Sequence, residues 1–155
     1  KGMWKATDWD RNYKTFRNLA IEKSKLKYTT VMENGLPSYK MPGGTDQENL
    51  KKEVERAALR NFVIGAVASN TYTENNFKSY VQSIAANVTG LNLPTLPNNE
   101  IDENRLVPGM IYQQGKLRVI FGGFKTKTNV SGLEVPDKNN AIMIPVSSYQ
   151  PSASE

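Results

Sequence analysis

The chain has 155 residues, with 20 lysines and arginines against 15 aspartates and glutamates, and it contains neither cysteine nor histidine. These absences exclude disulfides, thiolate nucleophiles, Cys-ligated zinc and every catalytic pair that uses an imidazole. Carboxylate, lysine, tyrosine and serine chemistry remains, together with oxygen-ligated cations. The length predicts one domain over residues 1–155, with a hydrophobic core of its own.

The formal net charge of +5 is carried by residues 1–27. That segment holds eight basic residues against three acidic ones, whereas residues 28–155 hold twelve of each sign. Trp9, Tyr13 and Phe16 recur at helical spacing, which predicts a helix with one aromatic face. A neutral body with one basic, aromatic-faced N-terminal helix or arm is therefore the first expectation.

Thr7 or Asp8 is the predicted N-cap of this N-terminal helix, and basic residues in its last turn face the negative end of the helix dipole.

Three interpretations of this helix are open. Its aromatic face packs on the core of the protein, or its aromatics and cations lie together in a lipid headgroup layer. In the third interpretation, the cations bind phosphates and the aromatics stack on bases of a nucleic acid.

Turn and capping signals divide the next part of the chain. Residues 28–32 are predicted to form a strand that ends at a turn over Asn34 and Gly35. Thr45 and Glu48 have the spacing of a capping box, with Thr45 as the N-cap and Glu48 at the third helical position. The helix that they begin becomes apolar nearly all round in its second half, which predicts that this half is buried.

A second helix is predicted to begin at Thr73, after a break near residues 69–70. Its apolar residues follow a helical period, and Gly90 stands where a C-terminal cap is expected. Residues 45–90 are therefore expected to form a helical hairpin.

A Pro-rich loop is predicted over residues 91–105, and the hydrophobic pattern that follows has the two-residue period of strands. Strands over 110–113 and 116–121 flank Gln114 and Gly115, which are the predicted two-residue turn of a hairpin. These signals favour antiparallel strands in the second half of the chain.

The C-terminal part continues this strand pattern with interruptions. Glycines at 122–123 predict a bulge or a strand break, and residues 124–128 form a further strand with lysines on one face. A turn is expected at 137–140 before the last apolar run, 141–144. Residues 147–155 are expected to be a flexible tail.

Helices followed by strands predict an α+β fold. Its expected parts are an N-terminal helix and a central helical hairpin at about residues 45–90, packed on a C-terminal antiparallel β-meander.

Two patterns that suggest a ligand have a plainer structural explanation. Residues 42–45 precede a helix but lack the Gly-Lys-Ser/Thr of a phosphate loop, and acidic residues already occupy that helix N-terminus. Glu100, Asp102 and Glu103 offer oxygen ligands, but their spacing is not that of an EF-hand. No catalytic residue, metal ligand or cofactor is assigned from the sequence.

The leading hypothesis is a non-enzymatic assembly or interaction module of an oligomeric complex, in a virion or in cell-envelope machinery. Its partners would be proteins, including further copies of the same chain, and an extracytoplasmic or virion location is favoured. The contacts would come from the basic N-terminal segment and from strand residues. The candidate binding residues are Trp4, Lys5, Trp9, Arg11, Lys14, Arg17, Lys25, Lys116, Arg118, Lys125 and Lys127.

Two alternatives stay open beside this hypothesis. The protein binds nucleic acid through its basic N-terminal segment, with help from the basic strand residues; a membrane surface is a further possible partner of residues 1–27. Or it is a periplasmic domain of a secretion or conjugation complex, in which a helical hairpin packs into a curved sheet as in nuclear-transport-factor-2-like cones. The second alternative is an analogy of fold alone.

Overall fold

The computed structural model describes residues 3–43 and 47–146 and confirms the α+β class. Two short 3-10 turns, Thr71–Thr73 and Glu103–Arg105, accompany the helices and strands. In chain order the helices and strands are α1 (Ala6–Lys23), β1 (Thr29–Glu33), β2 (Leu36–Lys40), α2 (Glu48–Ala68), α3 (Phe77–Ala85), β3 (Leu91–Asn92), β4 (Ile111–Gln114), β5 (Leu117–Thr128) and β6 (Glu134–Pro145).

The strands form two sheets. β1 and β2 make a separate antiparallel hairpin, and the other four strands form one sheet in the order β3-β4-β5-β6. The predicted meander is confirmed in β4, β5 and β6, which are antiparallel neighbours. The predicted loop over 91–105 begins with the short strand β3, which pairs parallel with β4 and which the sequence did not predict.

In its central part the main sheet buries both of its faces, and this explains the apolar run 119–121 in β5. One face contributes Ile111 and Ile120 to the large cluster formed with the helices. The opposite face contributes Tyr112, Val119 and Phe121 to a second cluster under the segment that follows β3. A strand covered on both sides loses the apolar–polar alternation of a half-exposed strand.

The aromatic face of α1 packs into the large cluster. The Trp9 ring meets Phe77 of α3 edge to face, with centroids 5.4 Å apart, and Tyr13 meets Phe62 of α2 in the same manner at 5.8 Å. Trp9 is 5% exposed and Tyr13 is 9% exposed. The structure thus places this face on the core, as in the first of the three interpretations.

Helix α1 begins earlier than predicted. Lys5 occupies the N-cap position, so neither Thr7 nor Asp8 is the cap. Asp8 is instead the third helical residue, and its carboxylate accepts the Lys5 backbone N–H at 3.4 Å. The chain is anchored just before the helix because the Trp4 backbone N–H donates to the Thr71 hydroxyl at 2.6 Å.

Helix α2 begins at Glu48, with Gln47 at the N-cap position. Glu48 is therefore the first helical residue and not the third, as the predicted capping box required. Thr45 lies outside the described residues. The predicted break after this helix is confirmed, because Ser69 caps α2 and Asn70 adopts the left-handed conformation, with φ 60°.

Helix α3 is shorter at both ends than predicted. Thr73 belongs to a 3-10 turn, and the extended backbone of Glu74 separates that turn from the helix. At the other end Ala86, not Gly90, is the C-cap. The physical reason lies in the sheet, because a buried arginine of β5 takes carbonyls at this end of the helix, as described below.

The two-residue turn between β4 and β5 is shifted by one residue from its predicted place. Gln114 pairs with Leu117, so the turn residues are Gly115 and Lys116. Gly115 has φ 59°, and a two-residue hairpin turn with positive φ at its first central position favours glycine there. The turn over Asn34 and Gly35 is where it was predicted, and both residues have positive φ.

The glycines at 122–123 form a bulge inside a continuous strand. The pairing of β5 with β6 shifts between Phe121 and Phe124, and Gly123 has φ 92°. The predicted turn at 137–140 lies inside β6, opposite a second irregularity of the same ladder. The predicted tail, 147–155, lies outside the described residues. No helix in the described part of the chain is long and apolar enough to cross a membrane.

Candidate interaction surfaces

The two tryptophans among the predicted binding residues are structural. Trp9 is buried, and Trp4 lies against Phe62 with ring centroids 5.4 Å apart. Trp4 also covers Gly65, where an added Cβ would stand 2.6 Å from the indole. Both rings are therefore engaged in packing within the protein.

Three cations of α1 are engaged by carboxylates of the same chain. Arg11 contacts Asp8 at 2.6 Å, and Arg17 contacts Glu55 of α2 at 3.0 Å. Lys14 lies between two carboxylates, Asp10 at 3.3 Å and Glu33 of β1 at 3.4 Å. Arg17 also donates to the Tyr39 carbonyl at 2.7 Å. These contacts attach α1 to α2 and to the β1–β2 hairpin and reduce its free positive charge.

Arg118, one of the candidate binding residues, is not a surface residue. Its side chain is 4% exposed. The guanidinium donates to the Ala85 carbonyl at 3.2 Å and to the Val88 carbonyl. Arg118 therefore joins β5 to the end of α3 and offers nothing to an external ligand.

The remaining predicted residues are exposed but scattered. Lys5 precedes α1 and Lys25 follows it, whereas Lys116 lies in the turn between β4 and β5. Lys125 and Lys127 lie on the distal part of β5. With Arg118 buried, these cations do not form one continuous basic surface.

Residues 125–136 form a structure that we call the β-arm. They are the distal half of the β5–β6 ribbon, in which Thr126 pairs with Pro136 and Thr128 with Glu134. All four residues of β5 from 125 to 128 are exposed, so both faces of the ribbon meet solvent. The β-arm therefore extends beyond the packed part of the sheet.

The tip of the β-arm presents two apolar side chains. Val130 is fully exposed and Leu133 is 64% exposed. Single exposed apolar residues are common on protein surfaces. Val130 and Leu133 differ from such single residues because one ordered turn holds both of them.

The hydrogen bonds of Asn129 order that turn. Its side-chain oxygen accepts the backbone N–H of Ser131 at 2.9 Å and that of Leu133 at 3.0 Å. Its backbone N–H donates to the Leu133 carbonyl at 2.9 Å, and its own carbonyl accepts from Gly132 at 3.0 Å. The apolar tip is therefore already ordered in the unbound protein.

Glu134 is the acidic residue at the base of the tip. Its carboxylate accepts a hydrogen bond from the Thr128 hydroxyl at 2.5 Å. This bond, together with one from Thr126, lowers the pKa of Glu134. The carboxylate is consequently ionised at neutral pH, and it is the charged group within residues 129–134.

An apolar groove of about 600 Å³ runs between α1 and α2. Leu19 is 45% exposed in it. Lys23, Lys25 and Arg60 line the groove along with one carboxylate, Glu53, so the charge there is net positive. The apolar lining residues are Phe16, Leu19, Ala20, Leu50, Val54 and Ala57.

Sequence reasoning missed the tip of the β-arm, although a signal for it exists. Asn129 stands three residues before Gly132, a spacing typical of a tight turn, and Val130 and Leu133 are apolar within it. Two apolar residues in a turn that cannot reach the core are a sign of a contact surface. The groove could not be found in the same way, because it needs the pairing of two helices distant in sequence.

Comparisons with protein-family models, with curated proteins and with solved structures found no match to this chain.

Proposed function

We propose that the protein is a non-enzymatic assembly module that associates with further copies of itself through the tip of the β-arm. The observation that carries the proposal is the ordered turn that holds Val130 and Leu133 in solvent. An ordered turn loses little conformational entropy on binding, so burial of its apolar surface goes largely into affinity.

The receiving surface in this proposal is the α1–α2 groove of a second copy. Its apolar floor, with Leu19 already exposed, matches the two apolar side chains of the tip. Its net positive lining matches the carboxylate of Glu134. A tip on one copy and a groove on another make a heterologous contact, which produces rings if the rotation closes and filaments if it does not.

Self-association explains the N-terminal segment better than nucleic-acid binding does. Trp4 and Trp9 pack on other aromatic rings of the chain, and Arg11, Lys14 and Arg17 contact carboxylates of the chain. What the segment adds to a surface is one wall of the groove, with Lys23 and Lys25 beside it.

Light scattering after size-exclusion chromatography, over a range of concentrations, tests the proposal. The mass of the wild-type protein should rise with concentration. The double variant Val130→Ser/Leu133→Ser should shift that rise to at least about tenfold higher concentration, because full burial of a valine or leucine side chain contributes about 1.5–3 kcal/mol. Leu117→Ser, at a residue 47% exposed on the same strand, is the matched control and should leave the rise in place.

A mixing experiment distinguishes the heterologous contact from a symmetric one. Leu19→Glu should also abolish assembly, since it places a charge in the groove. Mixed with the tip variant, it should form heterodimers and nothing larger, because one intact tip and one intact groove remain. A wild-type protein that stays monomeric at every concentration, or a mixture that stays monomeric, would contradict the proposal.

A further inference from the structure

The outer edge of β6 is a second surface with unused binding capacity. β6 is the last strand of the main sheet, whose order is β3-β4-β5-β6. Its inner edge bonds to β5; for example, the Val146 N–H donates to the Arg118 carbonyl at 3.0 Å. Among residues 3–43 and 47–146, no strand pairs with its outer edge.

Alternation along the ladder identifies which backbone groups face outward. Phe121 is paired with Met143, yet its N–H donates to Met110, on the other side of β5, at 3.0 Å. Met143 therefore directs its own N–H and C=O away from β5, and Ala141 and Pro145 follow by the two-residue alternation. Gln82 of α3 donates to the Pro145 carbonyl at 3.2 Å, which leaves Ala141 and Met143 as the open part of the edge.

A groove of about 360 Å³ runs beside this open edge. Tyr72 and Phe77 form its wall on the side of the helices, and residues 141–145 form its other wall. Two lysines, Lys78 at the start of α3 and Lys125 at the base of the β-arm, line the same groove. No salt bridge holds either lysine within the described ranges.

We infer that this groove binds an extended, acidic segment of a partner protein, which adds to the outer edge of β6 as a further strand. The open N–H and C=O groups of Ala141 and Met143 would provide the main-chain hydrogen bonds, as in other cases of strand addition. Lys78 and Lys125 would select carboxylates in the segment. The inference concerns a different surface and a different partner from self-assembly, and it does not depend on it.

The shape of the groove favours a single strand over a second copy of the whole sheet. The open edge is short, because the irregular segment 137–140 limits it at one end and Pro145, which has no N–H, limits it at the other. α3 and the turn before it stand beside the edge, so a sheet with its own covering layers has no approach. One extended chain needs only the width of a strand, about 4.8 Å.

Designed peptides test the inference on the Val130→Ser/Leu133→Ser variant, so that self-assembly does not interfere. The probes are eight-residue peptides of alternating threonine and glutamate, the same peptide with N-methylated amides along one edge, and a threonine–lysine counterpart. Fluorescence anisotropy measures binding, and backbone amide NMR locates it. We expect saturable binding of the acidic peptide, with shifts at Ala141 and Met143, and no binding of the other two.

Charge variants add a matched comparison. Lys78→Glu/Lys125→Glu should weaken binding of the acidic peptide by about tenfold or more. Lys127→Glu reverses one charge, on the strand of Lys125 but outside the groove, and should weaken binding less than twofold. Equal binding of the N-methylated peptide, an equal effect of Lys127→Glu, or no binding of the acidic peptide would overturn the inference. So would displacement of the acidic peptide by an eight-nucleotide oligo-dT, because the lysines would then be a phosphate site.

Discussion

The guanidinium of Arg118 in β5 donates to the backbone carbonyl of Val88, just beyond the end of α3, and it also reaches the Ala85 carbonyl at 3.2 Å. The last carbonyls of a helix have no partner within the helix and need one from elsewhere. Here the Val88 N–H donates to the Ala85 carbonyl at 3.0 Å, and a cation from the sheet adds a second donor to it and one to the Val88 carbonyl, in agreement with the negative end of the helix dipole. This contact fixes where α3 ends and how the helix lies on the sheet.

Removal of this cation should destabilise the fold strongly. Arg118→Met removes both hydrogen bonds of the charged guanidinium and leaves the buried Val88 carbonyl without this donor, whereas the Ala85 carbonyl keeps the Val88 N–H at 3.0 Å. We expect the free energy of unfolding to fall by about 2–4 kcal/mol. Arg118→Lys keeps the charge but not the forked donor geometry, so its free energy of unfolding should lie between those of the methionine variant and wild type. Urea denaturation measures both. Lys116→Met, at an exposed neighbouring residue, should change stability by no more than about 0.5 kcal/mol. Wild-type stability of Arg118→Met would contradict this role.

Gly122 should tolerate no side chain. An added Cβ would stand 2.7 Å from the Ile142 side chain and 3.4 Å from that of Val67. We therefore expect Gly122→Ala to lower the free energy of unfolding by about 1–3 kcal/mol, as overpacking does. Gly43→Ala is the control, because an added Cβ there meets no atom within 4 Å. Thermal denaturation compares the two variants, and equal melting temperatures would show that the bulge has room.

The pair Tyr39 and Glu22 should produce a pH effect at high pH. The Tyr39 hydroxyl donates to the Glu22 carboxylate at 2.7 Å, and this bond, with some desolvation, raises the pKa of Tyr39 to about 12. Because the folded state favours the protonated phenol, the contribution of the pair to stability is complete below about pH 10 and is lost as pH rises through about 12.

The variant Glu22→Gln should return the pKa of Tyr39 towards about 10. Ultraviolet absorbance titration measures it as the difference between each protein and its Tyr39→Phe counterpart. Glu53→Gln, at an exposed glutamate of α2, should leave the titration of Tyr39 unchanged. If Glu22→Gln also leaves the titration of Tyr39 unchanged, the contact between Tyr39 and Glu22 is absent in solution.

Asn129 should control the order of the β-arm tip. Asn129→Ala removes the acceptor of the Ser131 and Leu133 N–H groups, and we expect a loss of about 1 kcal/mol in stability. Hydrogen exchange at those two amides should become faster. Asn129→Asp retains an acceptor oxygen and should preserve their protection. Unchanged exchange in the alanine variant would mean that the backbone alone orders the turn.

Local patterns in the sequence predicted most of the secondary structure but not the ends of the helices. The period of three to four residues located the cores of α1 and α2, and the Asn34-Gly35 turn followed from backbone preferences of those residues alone. The ends of α3 did not follow, because Glu74 interrupts one end and Arg118, distant in sequence, takes the carbonyls at the other.

The candidate surfaces, like the ends of α3, depend on contacts between residues distant in sequence. The basic charge of residues 1–27 was visible in the sequence, but no property of a sequence shows whether those residues bind a partner or pack within the protein. Only the fold shows that Arg17 meets Glu55 and that Trp9 meets Phe77. Two residues of the same charge, Lys127 and Arg118, differ in exposure because Lys127 lies beyond the packed sheet and Arg118 lies beneath a helix.

The sequence by itself determined three things: the α+β class, the absence of cysteine and histidine chemistry, and the location of the net charge. Each depends on composition or on contacts between near neighbours in the chain. Tertiary structure alone decided which cations are neutralised, which apolar side chains stay in solvent and which strand edge is open. Those outcomes depend on long-range packing, in which burial and charge pairing are set by residues that no local pattern brings together.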